Sequence, residues 1–410
     1  MALPTSLDIA IVGAGVAGLA AAIALSRGGH RVAVFERFDT PRPLGSGLMI
    51  QPSGLAALGR LGLRTEIERR GHRIDRLHGM TGGGRTVFDV AYADLDAALY
   101  AVGIHRAALH GVLWDAFAAC GASLETGAEV RATQPASGAR AALEMSSGRR
   151  SGSFNLIIDA SGSNSMLRGQ VTARKPRPFA YGAVWTTVED IGIAPGCLAQ
   201  RYVAARIMMG YLPVGTIDGQ GPPLAALFWS LKPETYSPWR DGFADWRDEA
   251  ERLWPECGPL LSRLGGPEDF TLAAYSHFLA PVFRSGSLVL IGDSAHATSP
   301  QLGQGGNQGL IDAVALADAL RASQSIDEAL AAYERRRRAQ IRFYQAASAL
   351  LTAFFQSDSA SLASLRDLLF HRMRHVPYLR REMVRTLAGL KTGLFASAGP
   401  DAIAGRGGNV

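Results

Sequence analysis

The sequence predicts an α/β protein in which a parallel sheet is interrupted by a mainly antiparallel one and followed by helices. Three observations carry that expectation. The run Asp8-Ile-Ala-Ile-Val-Gly13-Ala-Gly15-Val-Ala-Gly18 is an apolar strand entering a glycine-rich turn and then a helix. Leu288-Val-Leu-Ile-Gly292-Asp293 is a second buried-strand pattern, far along the chain, ending in a similar turn. From about 178 to 275 the texture changes to short alternating segments separated by Gly/Pro turns.

Taken in order, Ile9–Val12 reads as a buried strand and Ala17–Ser26 as an alanine-rich helix. Arg31-Val-Ala-Val-Phe-Glu36 then completes a Rossmann-like βαβ unit. Gly47–Leu61 reads as a loop entering an amphipathic helix, with Pro52 and Ser53 near its start and Gly62 as a stop. His105–Cys120 is another amphipathic helix. Asn155–Ala160 is a buried strand closed by Ser161-Gly162, and Ser287–Ile291 is its late counterpart. Tyr181–Val188, Ile207–Leu212 and Leu224–Leu231, with the turn Gly219–Pro223, form the expected antiparallel sheet, and Asp241–Leu264 is a helical insertion. From Leu310 onward helices dominate, and the polar tail Gly399–Val410 is expected to fray. This order predicts a discontinuous cofactor domain over 1–71, 98–177 and 275–345, and a substrate domain over 72–97 and 178–274. Residues 346–410 then form a C-terminal helical segment and tail.

With 410 residues, 47% hydrophobic and 19% charged, the chain can bury a large core. Lys+Arg 42 against Asp+Glu 36 leaves +6, which suits anionic ligands without specifying one. There is no basic stripe with interleaved aromatics, so nucleic acid is not an expected partner. Cys120, Cys197 and Cys257 are widely spaced and odd in number, which implies no metal site, no disulfide framework and a cytoplasmic location. The apolar run Ile9–Leu25 is short for a membrane span, contains three motif glycines and has no basic region before it. A monomer or a homodimer is expected.

The motifs have specific chemistry. Gly13 permits the tight turn, Gly15 lets backbone approach a pyrophosphate, and Gly18 permits close helix–strand packing. Glu36, eighteen residues after Gly18, can accept hydrogen bonds from a ribose diol. Asp293 ends a late strand, where a carboxylate can hold a ribityl hydroxyl. Pro300 and the Gly303-Gln-Gly305 turn then lead into the helix Asn307–Leu320, whose N-terminus offers donors and a positive dipole end to a flavin pyrimidine edge. Together these features point to FAD.

At this level the chain resembles the class A flavoprotein monooxygenases, the para-hydroxybenzoate hydroxylase-like family. The resemblance rests on GAGVAGL with Glu36, Gly45-Ser-Gly47-Leu48, Arg106 in HRAALHGVL, LIIDASGSNSMLR and GDSAHATSPQLGQGGNQG, and covers about 7–345. The C-terminal helices and Leu387-Ala-Gly-Leu-Lys391 are similar to those of ubiquinone-biosynthesis hydroxylases. The resemblance implies that NAD(P)H reduces FAD, that O2 forms a flavin hydroperoxide, and that one oxygen atom passes to an aromatic or quinone-like small molecule. It adds Val16, Ala17, Arg37, Gly47, Leu48, Gly306 and Asn307 to the cofactor-binding residues, and implies that Arg106 contacts the pyrophosphate.

One departure stands out. The family's middle motif reads Ala-Asp-Gly followed by Ser and Arg. Here it is Ala160-Ser161-Gly162, with Ser165 and Arg168 retained and the acid displaced to Asp159. That substitution bears on the nicotinamide route and leaves open a halogenase, a reductase, or a monooxygenase fed by a separate flavin reductase. Against a halogenase, the chain has no GWxWxIP segment, and Lys232 reads as a solvated turn residue.

The remaining features have plainer readings. His296 is expected to be structural rather than an acid–base group, and Arg335–Arg338 to lie on a solvated helix face. Ala346–Phe355 is expected to pack in the core, the alternative being a peripheral membrane contact. Trp185, Arg206, Tyr211 and Trp229 fall on segments of the inserted sheet, whose inner face should cover the flavin. Arg206 and Tyr211 are the substrate-pocket candidates.

Overall fold

Apolar runs without alternation become strands buried on both faces, as parallel sheets require. In the computed structural model, which describes residues 6–40, 45–373 and 375–405, Ile9, Ala10, Ile11, Ile157 and Ile158 are wholly buried. The six-stranded sheet runs in the order Arg284–Ser285, Leu288–Leu290, Leu156–Asp159, Asp8–Val12, Arg31–Phe35 and Ser123–Glu125. All neighbours are parallel except the outer pair, so the residues following Val12, Phe35, Asp159 and Leu290 gather at one edge. That edge positions the site.

The inserted sheet has seven strands, in the order Thr271–Ala273, Gly182–Glu189, Leu224–Leu231, Ile207–Gly215, Cys197–Val203, Arg76–Thr81 and Thr86–Ala91. Its pairings are antiparallel apart from Cys197–Val203 with Arg76–Thr81. Alternation divides its side chains between two cores. Leu212, Phe228 and Ala226 pack with Met49 and with Phe355, Val384 and Leu390 of the C-terminal segment. Tyr211, Leu227 and Trp229 pack with Trp246, Trp254 and Leu261 of the helical insertion.

Gly47–Ile50 differs from the loop read in the sequence. It is a strand that pairs with Ala101–His105, which pairs in turn with His72–Ile74. The reason is tertiary: a Cβ on Gly47 would stand 2.7 Å from Val214 and 2.8 Å from Ala226, so only glycine lets this strand lie against the inserted sheet. A three-stranded sheet, Val130–Pro135, Ala141–Met145 and Arg150–Phe154, also escaped the sequence reading.

The long helix Ile326–Phe355 starts at Ser325, whose hydroxyl accepts from the Glu328 N–H at 3.2 Å. Arg335 and Arg336 of the basic run are exposed, but Arg337 is only 1% exposed, which corrects the expectation of a wholly solvated face. Its Nε donates to Asp312 at 2.7 Å, and Asp312 also meets His296 Nε2 at 2.6 Å and the Gly292 N–H at 2.8 Å. His296 is therefore a buried strut. Ser348, Thr352 and Phe355 face inward and Leu351 and Phe354 pack on the same core, as expected for Ala346–Phe355, while Leu350 is 61% exposed. No helix among the described residues is long and apolar enough to cross a membrane.

The expected frayed tail is corrected in part. Pro400–Ala404 is helical, Ile403 and Ala404 are buried, and Arg60 donates to the Ala404 carbonyl at 2.7 Å. Residues 406–410 of that tail, like 1–5 and 41–44 of the expected cofactor domain, lie outside the described residues.

Candidate active site

The glycine loop is shaped by what its residues must clear. Gly13 has φ +103°, and a Cβ there would stand 2.7 Å from the Ala160 carbonyl. A Cβ on Gly18 would fall 1.9 Å from the Gly13 oxygen. Gly15 differs: a Cβ there meets nothing within 4 Å, so its face is open. It precedes the helix Val16–Arg27, which has no side-chain cap and presents first-turn N–H groups to that opening.

Glu36 is buried beside this loop. One carboxylate oxygen accepts from the Ala14 N–H at 2.7 Å and the other from Phe38 N–H at 3.1 Å, leaving lone pairs for a further donor. Arg37 is exposed, with its guanidinium 4.5 Å from the Phe38 ring centroid.

The late motif reaches the same place. Ala17 of the first helix lies 3.1 Å from the Cβ positions of both Gly292 and Gly309, so the two distant stretches pack directly on each other. Asp293 follows Gly292, which has φ +61°. It is exposed to solvent yet so enclosed by protein that desolvation raises its carboxyl pKa, against the charges of His296, Arg106 and Arg168. A group that is both accessible and enclosed lies on a concave wall. Asp293 Oδ1 is 3.9 Å from the Cβ position of Gly305, the first residue of the helix Gly305–Ala322, which also has no side-chain cap. Pro300 opens a 3-10 turn, Gly303 follows it with φ +60°, and Gly306 faces Leu48.

Arg168 fastens the middle motif to this wall. Nearly buried, it donates to the carbonyls of Gly162, Ser163, Asp293 and Ser294 at 2.9–3.2 Å and stacks 4.2 Å over Phe278. Asp159 is wholly buried and accepts from the Ser161 N–H, the Ser161 hydroxyl and the Ser165 hydroxyl at 3.0, 2.5 and 2.5 Å. The displaced acid thus faces inward, and Ser161 is turned toward it. Arg106 begins the helix Arg106–Ala118, lies exposed, and passes within 3.1 Å of the Cβ position of Gly45.

Three expectations are placed elsewhere. Tyr211 is wholly buried on the outer face of the inserted sheet, donating to Asp190 at 2.5 Å beside Trp254, and cannot line a pocket on the inner face. Arg206 is not on a strand; it is exposed in the turn between Cys197–Val203 and Ile207–Gly215. The Asn307 side chain is committed to protein, accepting from the Gln51 N–H at 2.9 Å and donating to Met49 and Gly303 carbonyls, so only its backbone can serve a ligand. Trp185, by contrast, packs on Phe228 at a 4.5 Å ring separation within the inner cluster and lines a cavity of about 460 Å³ with Gly45, Ser46 and Thr187. Sequence reasoning missed Tyr275, which accepts from Trp185 Nε1 at 2.9 Å. No spacing signal marks it. Lys232 is ion-paired with Asp358 at 2.8 Å.

A parallel sheet whose open glycine edge, buried acid at the end of the second strand and second uncapped helix converge, with an antiparallel sheet alongside, defines a flavin-dependent oxidoreductase, and the residues present fit FAD. The FAD binding domain family matches residues 6–344. The chain belongs to that family and, within it, to the class A FAD-dependent monooxygenases. It is similar to the FAD-dependent urate hydroxylase of Klebsiella pneumoniae, with 27% identity across 81% of this chain and 86% of that one. It is also similar to the 3-amino-4-hydroxybenzoate 2-monooxygenase of Streptomyces cremeus, with 29% identity across 80% and 82%. The crystal structure of Klebsiella pneumoniae HpxO with FAD and uric acid shares the fold, with a TM-score of 0.79 and 21% identity over 93% of this chain and 97% of that one.

Proposed function

We propose that this protein uses NAD(P)H and O2 to hydroxylate a small aromatic or quinone-like molecule. The balance is substrate C–H, O2, NAD(P)H and one proton giving C–OH, water and NAD(P)⁺. FAD, when bound, takes the two electrons and activates the oxygen. The chain's own residues bind, orient and exclude water. Gly13, Gly15, Val16, Ala17 and Gly18 would face the pyrophosphate, with Arg106 supplying charge. Glu36 would hold the ribose beside Arg37, and Asp293 the ribityl chain. The backbones of Gly47, Leu48, Pro300, Gly303, Gly305, Gly306 and Asn307 would surround the ring.

The observation that supports this reading is the open face of Gly15 and the concave setting of Asp293 at one sheet edge. The relatives' names, urate and 3-amino-4-hydroxybenzoate, support a small aromatic acceptor. Anaerobic reduction of the bound FAD by NADH and NADPH, across phenols, quinones and heteroaromatics, tests it. Acceleration by one class is expected, and protein that neither retains nor takes up FAD sinks the reading.

Ser161 favours a second reading for the electron source. Because Asp159 is buried and bonded, it does not replace the family's aspartate at the cleft. Slow reduction by both nucleotides, with fast reduction through a separate flavin reductase, would select that route.

A further inference from the structure

The outer side of the C-terminal segment is inverted relative to a helix that faces water. In the helix Ala360–Met373, Ala363 and Arg366 are buried and Phe370 is half-buried, so positions i, i+3 and i+7 face the protein. Arg366, wholly buried, donates to the Ala204 carbonyl at 2.9 Å. Leu365, Leu368, Leu369 and Arg372, spaced i, i+3, i+4 and i+7, are exposed on the opposite side, Leu368 at 51%. The guanidinium of Arg366 is in and the leucines are out.

The apolar stripe continues onto two neighbours. Phe370 meets Phe354 of the helix Ile326–Phe355 at a ring separation of 6.2 Å, and Phe354 ends an outward row that includes Phe343 and the exposed Ala346 and Leu350. Phe343 lies about 16 Å back along that helix. There Lys391 Nζ is 5.6 Å from its ring centroid, and Lys391 pairs with Ser397 across a turn that carries Leu394 and Phe395, the latter 92% exposed. The surface is also basic. Over 360–391 seven Lys and Arg stand against two acids, so this segment carries five of the chain's net +6. Arg372, Tyr378 and Arg381 are among its exposed side chains.

We infer that this face docks on an anionic lipid bilayer, with its arginines among the headgroups and Leu365, Leu368, Leu369, Leu394 and Phe395 at the acyl boundary. No helix among the described residues is long and apolar enough to cross, so the contact is peripheral. Side chains that protrude singly, Phe395 above all, suit a fluid partner rather than a preformed pocket. Charge argues against a second copy, because a two-fold dimer would set two such basic faces against each other. Anionic headgroups neutralise them instead. The inner side of the same segment packs on Met49 and Phe228 through Phe355, Val384 and Leu390, so one layer of helices separates the bilayer from the inner face of the inserted sheet. The inference stands independently of the reaction catalysed.

The test is co-sedimentation of the full-length, FAD-loaded protein with vesicles of phosphatidylcholine, alone or mixed in equal parts with phosphatidylglycerol. Binding to the mixed vesicles is expected, weaker on phosphatidylcholine alone and weakened by high salt. Leu368→Glu combined with Phe395→Ser should reduce it at least ~10-fold. Arg372→Gln and Arg381→Gln should each reduce it about fivefold, through loss of one cation near anionic lipid. Because these side chains are exposed, melting temperature and flavin content should stay at wild-type values. No binding to the mixed vesicles, equal binding to both kinds, or undiminished binding by the Leu368→Glu, Phe395→Ser protein overturns the inference. A dimer formed without vesicles that the same substitutions dissociate also overturns it, and assigns the face to a second copy.

Discussion

At the edge of the parallel sheet Gly13 and Gly18 are held by the backbone they must clear, whereas on the inserted sheet aromatic residues of similar size occupy both faces. Gly13 and Gly18 have carbonyl oxygens within 2.7 Å of their Cβ positions, and Gly15 has nothing within 4 Å. Trp185 and Trp229 sit on neighbouring strands with the same chemistry, yet one belongs to the inner cluster and the other to the outer. In the first region covalent geometry determines which residue stands where. In the second, position acquires meaning only when another element covers one face.

The comparison breaks most sharply at Gly18. Gly18→Val drives a side chain into the Gly13 carbonyl and should cost on the order of 4 kcal/mol, leaving little folded, flavin-loaded protein. Melting temperature and the flavin absorbance of purified protein would show it.

Arg337→Met comes next, at about 3–5 kcal/mol, because it leaves the buried Asp312 carboxylate short of a partner. Burial opposes ionisation of Asp312, but the charges and hydrogen bonds of His296 and Arg337 outweigh it and hold the carboxyl well below the usual range. A depressed carboxyl stabilises the fold above its unfolded pKa, near pH 4, and loses that contribution as pH falls below it. Acid unfolding of the wild type should steepen there, and Arg337→Met should unfold at higher pH.

Asp293→Asn separates binding from stability. Its raised pKa means that the ionised form is disfavoured by folding, so the apoprotein should melt at an equal or higher temperature. FAD affinity should fall roughly tenfold with the lost charged acceptor. A drop in both would mean that Asp293 supports the fold rather than the cofactor.

Tyr211→Phe carries the smallest expected effect. It loses one buried hydrogen bond to Asp190, about 1 kcal/mol, and should leave catalysis and FAD affinity unchanged. A change in KM would place the pocket on the outer face.

Much of the glycine edge's fold was legible in the sequence because its constraints are local. Gly13, Gly15, Gly18 and Glu36 are spaced along one βαβ unit, and Asp293 follows a strand directly. What was illegible depends on distant partners. Alternation puts Tyr211 and Leu212 on opposite faces, but which face meets the cofactor domain is decided by the helices over 236–261 that cover the other. Asn307 looked like a ring contact because its helix begins at the site, yet Gln51 and Met49 claim its side chain. Arg337 read as solvated within a basic run because its partner, Asp312, lies on another helix.

Gly15→Val tests the central claim, that the open glycine edge holds the pyrophosphate of FAD. Its φ of −79° is permitted to any residue, and a side chain there meets no protein atom within 4 Å. The measurement is FAD titration of the apoprotein, alongside its melting curve. Apoprotein stability within about 1 kcal/mol of the wild type is expected, with FAD binding weakened at least ~100-fold. FAD bound with wild-type affinity by a folded Gly15→Val protein would contradict it.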